Sequence, residues 1–381
     1  MKRVLLGIII SLMFLFLSCS NSKIIRKQGK EIPYWKIASP ESQGMNSTQL
    51  TKMFDYIGSK TQKLDSIIIV RNGYIVLEAY FSPNNKTTKH WLQSCTKSFT
   101  SALIGIAIDK GYIKNVDDNV LTYFTDKTFA NTDSLKKEIT IKHLLTMNSG
   151  IRWPQVGPNN ISDRMGESAD WVQFILDQPM AKKPGTGFNY SNGDVHLLSA
   201  IVQKATNKTA LEFGWEYLFK PLGIADVEWS EDPRGITVGC AAMKLKPRDL
   251  AKFGLLYLNN GLWEGKQLIS SKWIAESFRK HSTTYANTPN TFYGYLWWVK
   301  DGLNVYEAYG SGGIRIGVLP DLNIVTVTTA NISEDWSDYV FFRNLYAEYI
   351  KKAVKSPTSL PENPETLERL RNREIKEEKG I

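Results

Sequence analysis

Histidine and cysteine are scarce in this chain: four of the first and three of the second among 381 residues. His90, His143, His196 and His281 lie far apart. None has a cysteine or carboxylate partner at metal-ligand offsets, so a metal mechanism is not expected. The cysteines are too few for a disulfide framework in a chain of this length. Cys95 reads as a small buried side chain rather than a nucleophile. No internal period marks a repeat array. The net charge of +9 comes from scattered Lys and Arg, with no basic run interleaved with aromatics. That pattern argues against a nucleic-acid partner.

No apolar run reaches the length of about 20 residues that spans a bilayer comfortably. The nearest is Val4 to Leu17, which follows Lys2-Arg3. A positive start and a short apolar stretch are the marks of a secretory leader. Leu17-Ser18-Cys19-Ser20 then places a small residue before a cysteine, resembling a bacterial lipoprotein processing site. In that reading Cys19 becomes the lipidated first residue. Ordinary signal cleavage and an uncleaved anchor are the alternatives. Residues 1–18 are therefore read as signal peptide, 19–35 as a lipidated tether and 36–355 as the main domain. Residues 356–381 read as a charged tail, helical or disordered, that carries no chemistry. The expected location is periplasmic or cell-surface, with the membrane as partner through the lipid.

With 42% hydrophobic and 12% aromatic residues, the chain can bury one large core or two lobes. Ser66 to Phe81 holds two apolar, β-branched runs around Asn72-Gly73, a pair suited to a tight hairpin. A helix is expected from Ser94 to Lys110, ending at Gly111. Further helices are expected over 140–147, 170–176, 194–205, 209–219, 248–258 and 270–279. Strands return at Tyr293–Val299, 306–309, 313–319 and 324–330, followed by a helix over 339–355. Strands thus bracket a helical stretch. The implied class is α+β: an antiparallel sheet from both chain ends, flanked by helices, with a mostly helical inserted lobe at about 115–290. A site in the groove between the lobes is the expectation.

Ser94-Cys95-Thr96-Lys97 carries the chemistry. A serine at the first turn of a helix and a lysine three residues on share one face. A hydroxyl that must lose its proton then lies beside an amine that can help remove it. The bare pattern has no value, since Ser-x-x-Lys also occurs at Ser20, Ser134 and Ser277. Context separates the Ser94 copy: it follows a hairpin, opens an apolar helix and precedes two further motifs. The first is Tyr190-Ser191-Asn192, in a Pro/Gly-rich turn that leads into a helix and can present side chains rigidly. There Asn192 can donate to a substrate oxygen or hold Lys97, while Tyr190 shares the serine proton. The second is Tyr309-Gly310-Ser311-Gly312-Gly313-Ile314, where glycines let a substrate backbone approach a strand. Taken alone, that run reads as a hairpin bulge. Trp153, Trp171, Trp297 and Trp298 are candidates for an apolar acyl pocket, against ordinary core packing.

In this order the three motifs resemble those of the serine β-lactamase-related hydrolases: class C β-lactamases, D-Ala-D-Ala peptidases, related esterases and 6-aminohexanoate-dimer hydrolases. The resemblance runs from about Pro40 to Lys355 and includes 40–45, 139–150, 246–254 and 293–299. It implies a β-lactamase/transpeptidase-like fold and a serine hydrolase domain over 36–355. Ser94 would be the nucleophile, Lys97 its proton acceptor or relay, and Tyr190 the general base that later acts as acid. The backbone N–H groups of Ser94 and Ile314 would form the oxyanion hole. Asn192, Ser311, Gly312, Gly313 and Trp153 would contact substrate.

The chain departs from the family at Ser311, where lysine or histidine is usual. A cation there attracts a substrate carboxylate and depresses the tyrosine. A neutral serine only hydrogen-bonds. Arg315 lies at an odd offset along a strand, which changes its face. Hydrolysis of a small ester or simple amide through an acyl-enzyme, with no cofactor needed, is therefore favoured. The alternatives are a D-amino-acid peptidase or β-lactamase, and a catalytically silent member that binds cell-wall fragments.

Overall fold

The computed structural model describes residues 23–30, 34–60, 64–154, 160–285, 290–332 and 336–380. Residues 1–22, which hold the leader and Cys19, lie outside them. The chain forms two compact units. Unit one takes the described residues before Glu31, with Leu92–Lys244 and Asn260–Val299. Unit two takes Ile32–Trp91, Leu245–Asn259 and Lys300–Ile381.

Unit two is built on a sheet whose order is Val305–Gly310, Ile314–Leu319, Ile324–Ala330, Leu64–Arg71, Tyr74–Tyr80 and Lys36–Ile37. Asn72 (φ 51°) and Gly73 (φ 80°) make the tight turn between the two early strands. Both residue types tolerate a left-handed backbone, which the right-handed strand twist requires of such a turn. Antiparallel pairing of Ile324 with Arg71 and Val327 with Ile68 joins the late strands to the early ones. Leu64–Arg71 is buried almost throughout, because helices cover both faces. On one face Ile67, Ile69 and Leu77 pack with Leu50, Phe54, Phe342 and Leu345. On the other lies the Pro247–Leu258 helix, so close that a Cβ on Gly254 would stand 2.5 Å from Val325.

The tail is part of this unit. Pro364–Lys379 is a helix whose Leu367 and Leu370 are buried, at 8% and 3% exposure. Glu374 accepts the Glu78 backbone N–H at 3.1 Å, and its burial pushes its carboxyl up to about 7. Glu78 also accepts a two-pronged bond from Arg248, at 2.6 and 2.5 Å. Residues 356–381 were expected as an appendage because mixed charge dominates their sequence. Their few leucines fall one turn apart, which is enough for one buried stripe.

Unit one centres on the Asn192–Thr206 helix, which packs against Thr96–Asp109, Ile141–Leu145, Trp171–Leu176 and Ala210–Gly214. Side chains of Thr140, Asp170, Ser191 and Thr209 cap the helices that follow them. Each satisfies an otherwise orphaned N–H. Three expectations need correction. Lys23–Gln28 is a strand paired with Asp226–Glu231, so this part of the tether is folded into unit one. The helical lobe runs from Leu92 and leaves out Leu245–Asn259, which belong to unit two. Tyr293–Val299 is not one strand: Gly294–Trp297 forms a tight turn with Leu296 at φ 60°. There a Cβ on Gly294 would stand 1.9 Å from the Ser277 carbonyl.

Leu370→Ala tests the docked tail. Loss of a buried leucine costs about 2–5 kcal/mol, so the denaturant midpoint should fall clearly. An unchanged midpoint would make the helix a loose appendage.

Candidate active site

Ser94 sits in a single tight turn, Gln93–Cys95, that runs directly into the Thr96–Asp109 helix. Gln93 adopts φ 50°. A left-handed backbone in a side-chain-bearing residue costs on the order of 1–2 kcal/mol, and such strain gathers at functional positions. The Leu92 N–H is tied to the Met243 carbonyl at 2.8 Å, which fixes the approach to the turn. Nothing in the sequence marked Gln93, because glutamine carries no turn signal.

The helix places Lys97 one turn later and buries it to 1% exposure. Its amine donates to Ser94 Oγ at 2.8 Å and to the Cys240 carbonyl at 2.8 Å. Burial pulls the amine down to about 8, partly opposed by Cys240. Holding an ammonium there costs roughly 3 kcal/mol relative to water. At neutral pH a fraction of the molecules then carries a free amine, whose lone pair can take the Ser94 proton along the bond already formed. The Lys97 Nζ also lies 5.0 Å from the centre of the Tyr190 ring. Ser94, Lys97 and Tyr190 thus gather in unit one.

Tyr190 stands just before Ser191, which caps the Asn192–Thr206 helix by accepting the Asp194 N–H at 3.0 Å. Its own N–H donates to the Tyr285 hydroxyl at 3.3 Å. Behind it, the Asn189 N–H donates to the Met147 carbonyl at 2.8 Å, and Ser149 Oγ donates to Asp194 at 2.8 Å. Asp194 is fully buried, and desolvation pushes its carboxyl up to about 7. It ties the start of the helix to the turn at residues 147–150.

Two expected substrate contacts are occupied otherwise. Asn192 is 4% exposed and donates its side-chain amide to Ser162 Oγ at 3.2 Å, rather than to Lys97. Trp153 is 2% exposed and lies against Gly193, where a Cβ would stand 2.6 Å from its ring. Trp171 and Trp297 are buried as well. Of the four tryptophans Trp298 alone is half-buried, and it stacks on Tyr190 at 5.7 Å and 24°.

The third motif belongs to unit two. Gly312 (φ 78°) and Gly313 (φ 90°) turn the chain between Val305–Gly310 and Ile314–Leu319. Gly313 fits tightly, with Ala330 Cβ 3.0 Å from where its own Cβ would be, and its carbonyl accepts from Thr328 at 3.0 Å. Ile314 is buried, and Ser311 is half-buried. Arg315 is buried: it pairs with Glu307 at 3.2 Å and lies 3.9 and 4.3 Å from the rings of Phe342 and Tyr309. Its charge is engaged inside unit two. Among the described residues no group of His, Cys, Asp or Glu could hold a metal ion.

A sequence profile of the beta-lactamase family matches residues 62–341. This chain belongs to the beta-lactamase family. Protein flp of Staphylococcus aureus is 28% identical over 175 residues, which cover 44% of this chain and 35% of that protein. The chain thus spans about a third of that curated relative. A Bacillus anthracis protein provisionally described as a 6-aminohexanoate-dimer hydrolase superposes with TM-score 0.73 at 21% identity, covering 92% of this chain and 97% of that one. A family VIII carboxylesterase gives TM-score 0.65 at 18% identity, covering 84% and 100%. The fold is β-lactamase/transpeptidase-like and its class is α+β, and the family and its neighbours support a serine hydrolase.

Lys97→Met keeps the bulk of the side chain and removes the amine. Phosphonylation of Ser94 by a fluorophosphonate should slow by about 100-fold or more, within the range for a lost general base. The protein should remain folded, since a buried charge is replaced by an apolar group. A rate equal to that of the parent would exclude Lys97 from proton transfer.

Proposed function

We propose that this beta-lactamase-family protein hydrolyses a small ester or simple amide through an acyl-enzyme on Ser94. The observation that carries this reading is the desolvated Lys97 amine, 2.8 Å from Ser94 Oγ. Ser94 loses its proton to Lys97 as Oγ bonds to the substrate carbonyl carbon. The alcohol or amine then leaves, taking up a proton through the Lys97 and Tyr190 pair. Water attacks the acyl-enzyme, its proton goes to the same pair, and the acid is released with the serine restored. The Ser94 N–H is proposed as an oxyanion donor, worth a few kcal/mol in such chemistry.

Ester or amide is favoured over β-lactam because the third motif carries Ser311 in place of a cation. Arg315 does not supply the missing charge, since it is paired with Glu307. In parallel incubations, intact mass should show an adduct at Ser94 with fluorophosphonate, turnover of a short nitrophenyl ester, and slow or no turnover of nitrocefin. Ser94→Ala should lose both adduct and esterase activity. Full ester hydrolysis by Ser94→Ala would end this reading, and rapid nitrocefin turnover would move it to a β-lactamase.

We also propose that Cys19 is lipidated and holds the protein to a membrane outside the cytoplasm. Lys23, four residues along the sequence from Cys19, already pairs with Glu231. Unit one would then ride close to the lipid. Cys19→Ala should abolish labelling by radioactive palmitate and release the protein from the membrane fraction. Unchanged labelling would contradict the assignment.

A further inference from the structure

The Tyr190 ring is one member of a larger aromatic group within unit one. Trp298 stacks on it at 5.7 Å, and Tyr293 meets it edge-on at 6.2 Å. Phe188 meets Tyr285, Tyr293 and Trp298 at 5.2, 5.3 and 6.2 Å, all edge to face. Tyr285 is anchored by its hydroxyl, which accepts the Tyr190 N–H. Such rings in a core would be enclosed. Here only Tyr293 is, at 1% exposure, and it forms a floor. Phe188, Tyr190 and Trp298 are half-buried, and Tyr285 is 47% exposed.

Two features point to a ligand. Each of the four outer rings keeps part of its surface exposed, which a further ring can meet in the geometry that aromatic pairs prefer. The group is also continuous with the chemistry, because Tyr190 belongs to both and lies 5.0 Å from the Lys97 amine. The four outer side chains are all aromatic, so the surface suits a flat apolar group rather than an ion. A wall of this kind selects by shape and stacking, with Trp and Tyr as the strongest anchors.

We propose that this wall selects substrates bearing an aromatic ring next to the scissile ester or amide, with Trp298 and Tyr285 as the specificity-determining residues. The inference deepens the acyl-enzyme reading and rests on it for the identity of the scissile bond. The ring can lie on the acyl side or the leaving side, and paired substrates separate the two. Methyl phenylacetate against methyl hexanoate tests the acyl side. Benzyl acetate against hexyl acetate tests the leaving side with alcohols of comparable reactivity.

In at least one pair kcat/KM should favour the ring by about tenfold. Trp298→Ala and Tyr285→Ala should each bring that ratio towards one, while Trp298→Phe should retain it. Equal rates within both pairs, or a ratio untouched by both alanine variants, would overturn the proposal. Tyr285 is about half exposed, so its variant remains informative if Trp298→Ala fails to fold. Binding is read without chemistry in Ser94→Ala, by saturation-transfer NMR with phenylacetamide and hexanamide. Phenylacetamide should bind preferentially, and Ser94→Ala combined with Tyr285→Ala should lose the preference. Ring binding with no turnover of any ester would keep the wall and remove the hydrolase. Turnover of all four esters alike, without ring binding, would keep the hydrolase and remove the wall.

Discussion

An amine taken out of water gives up hydration that a protein interior replaces only in part, and Lys97 has done so beside a serine hydroxyl. Its amine meets one backbone carbonyl and one hydroxyl, with no carboxylate among the causes of its shift. A paired lysine would be held protonated and would be useless as a base. Without a carboxylate, burial outweighs the opposing influence of Cys240, and the amine comes within reach of neutral pH. The strained Gln93 and the bond from Leu92 to Met243 hold the serine where that amine can serve it.

The rest of unit one follows from keeping this pair and Tyr190 in place. The Asn192–Thr206 helix is at the centre of the packing, and Tyr190 stands at its mouth. Buried Asp194, Ser149 and Ser191 fasten that mouth to the preceding turn. In unit two the corresponding constraint is the tight turn at Gly312 and Gly313, backed by Ala330 and Thr328. Arg315 serves that unit's interior, clasped by Glu307 and two aromatic rings. A cation so placed stabilises the strands and is not available to substrate.

That Ser94, Lys97 and Tyr190 come together was legible because each sits in a local context with its own physical signal: a helix start for Ser94 and Lys97, a Pro/Gly turn for Tyr190. The hairpin at Asn72-Gly73 and the strand Ile324–Ala330 were legible for the same reason, as unbroken β-branched runs with a turn between them. What stayed hidden depends on partners distant in sequence. Lys23–Gln28 became a strand because Asp226–Glu231 offered an edge, and its charged sequence concealed that. The tail helix depends on two leucines and one buried glutamate that composition alone reads as polar. Asn192 was assigned to substrate by motif and Trp153 as a candidate for an apolar pocket, but Ser162 and Gly193 are the neighbours that the fold brings to them. The resemblance to related hydrolases identified the family. It did not distinguish which tryptophan faces outward.

The depressed basicity of the amine can be observed without any substrate. The protein would be labelled with ¹³C at the lysine Cε and compared with Lys97→Met to assign the Lys97 resonance, which is then followed from pH 6 to 11. A midpoint near 8 agrees with a desolvated amine ready to accept the serine proton. A midpoint at the ordinary lysine value of about 10.4 would mean an ammonium that cannot act as a base, and would contradict the account.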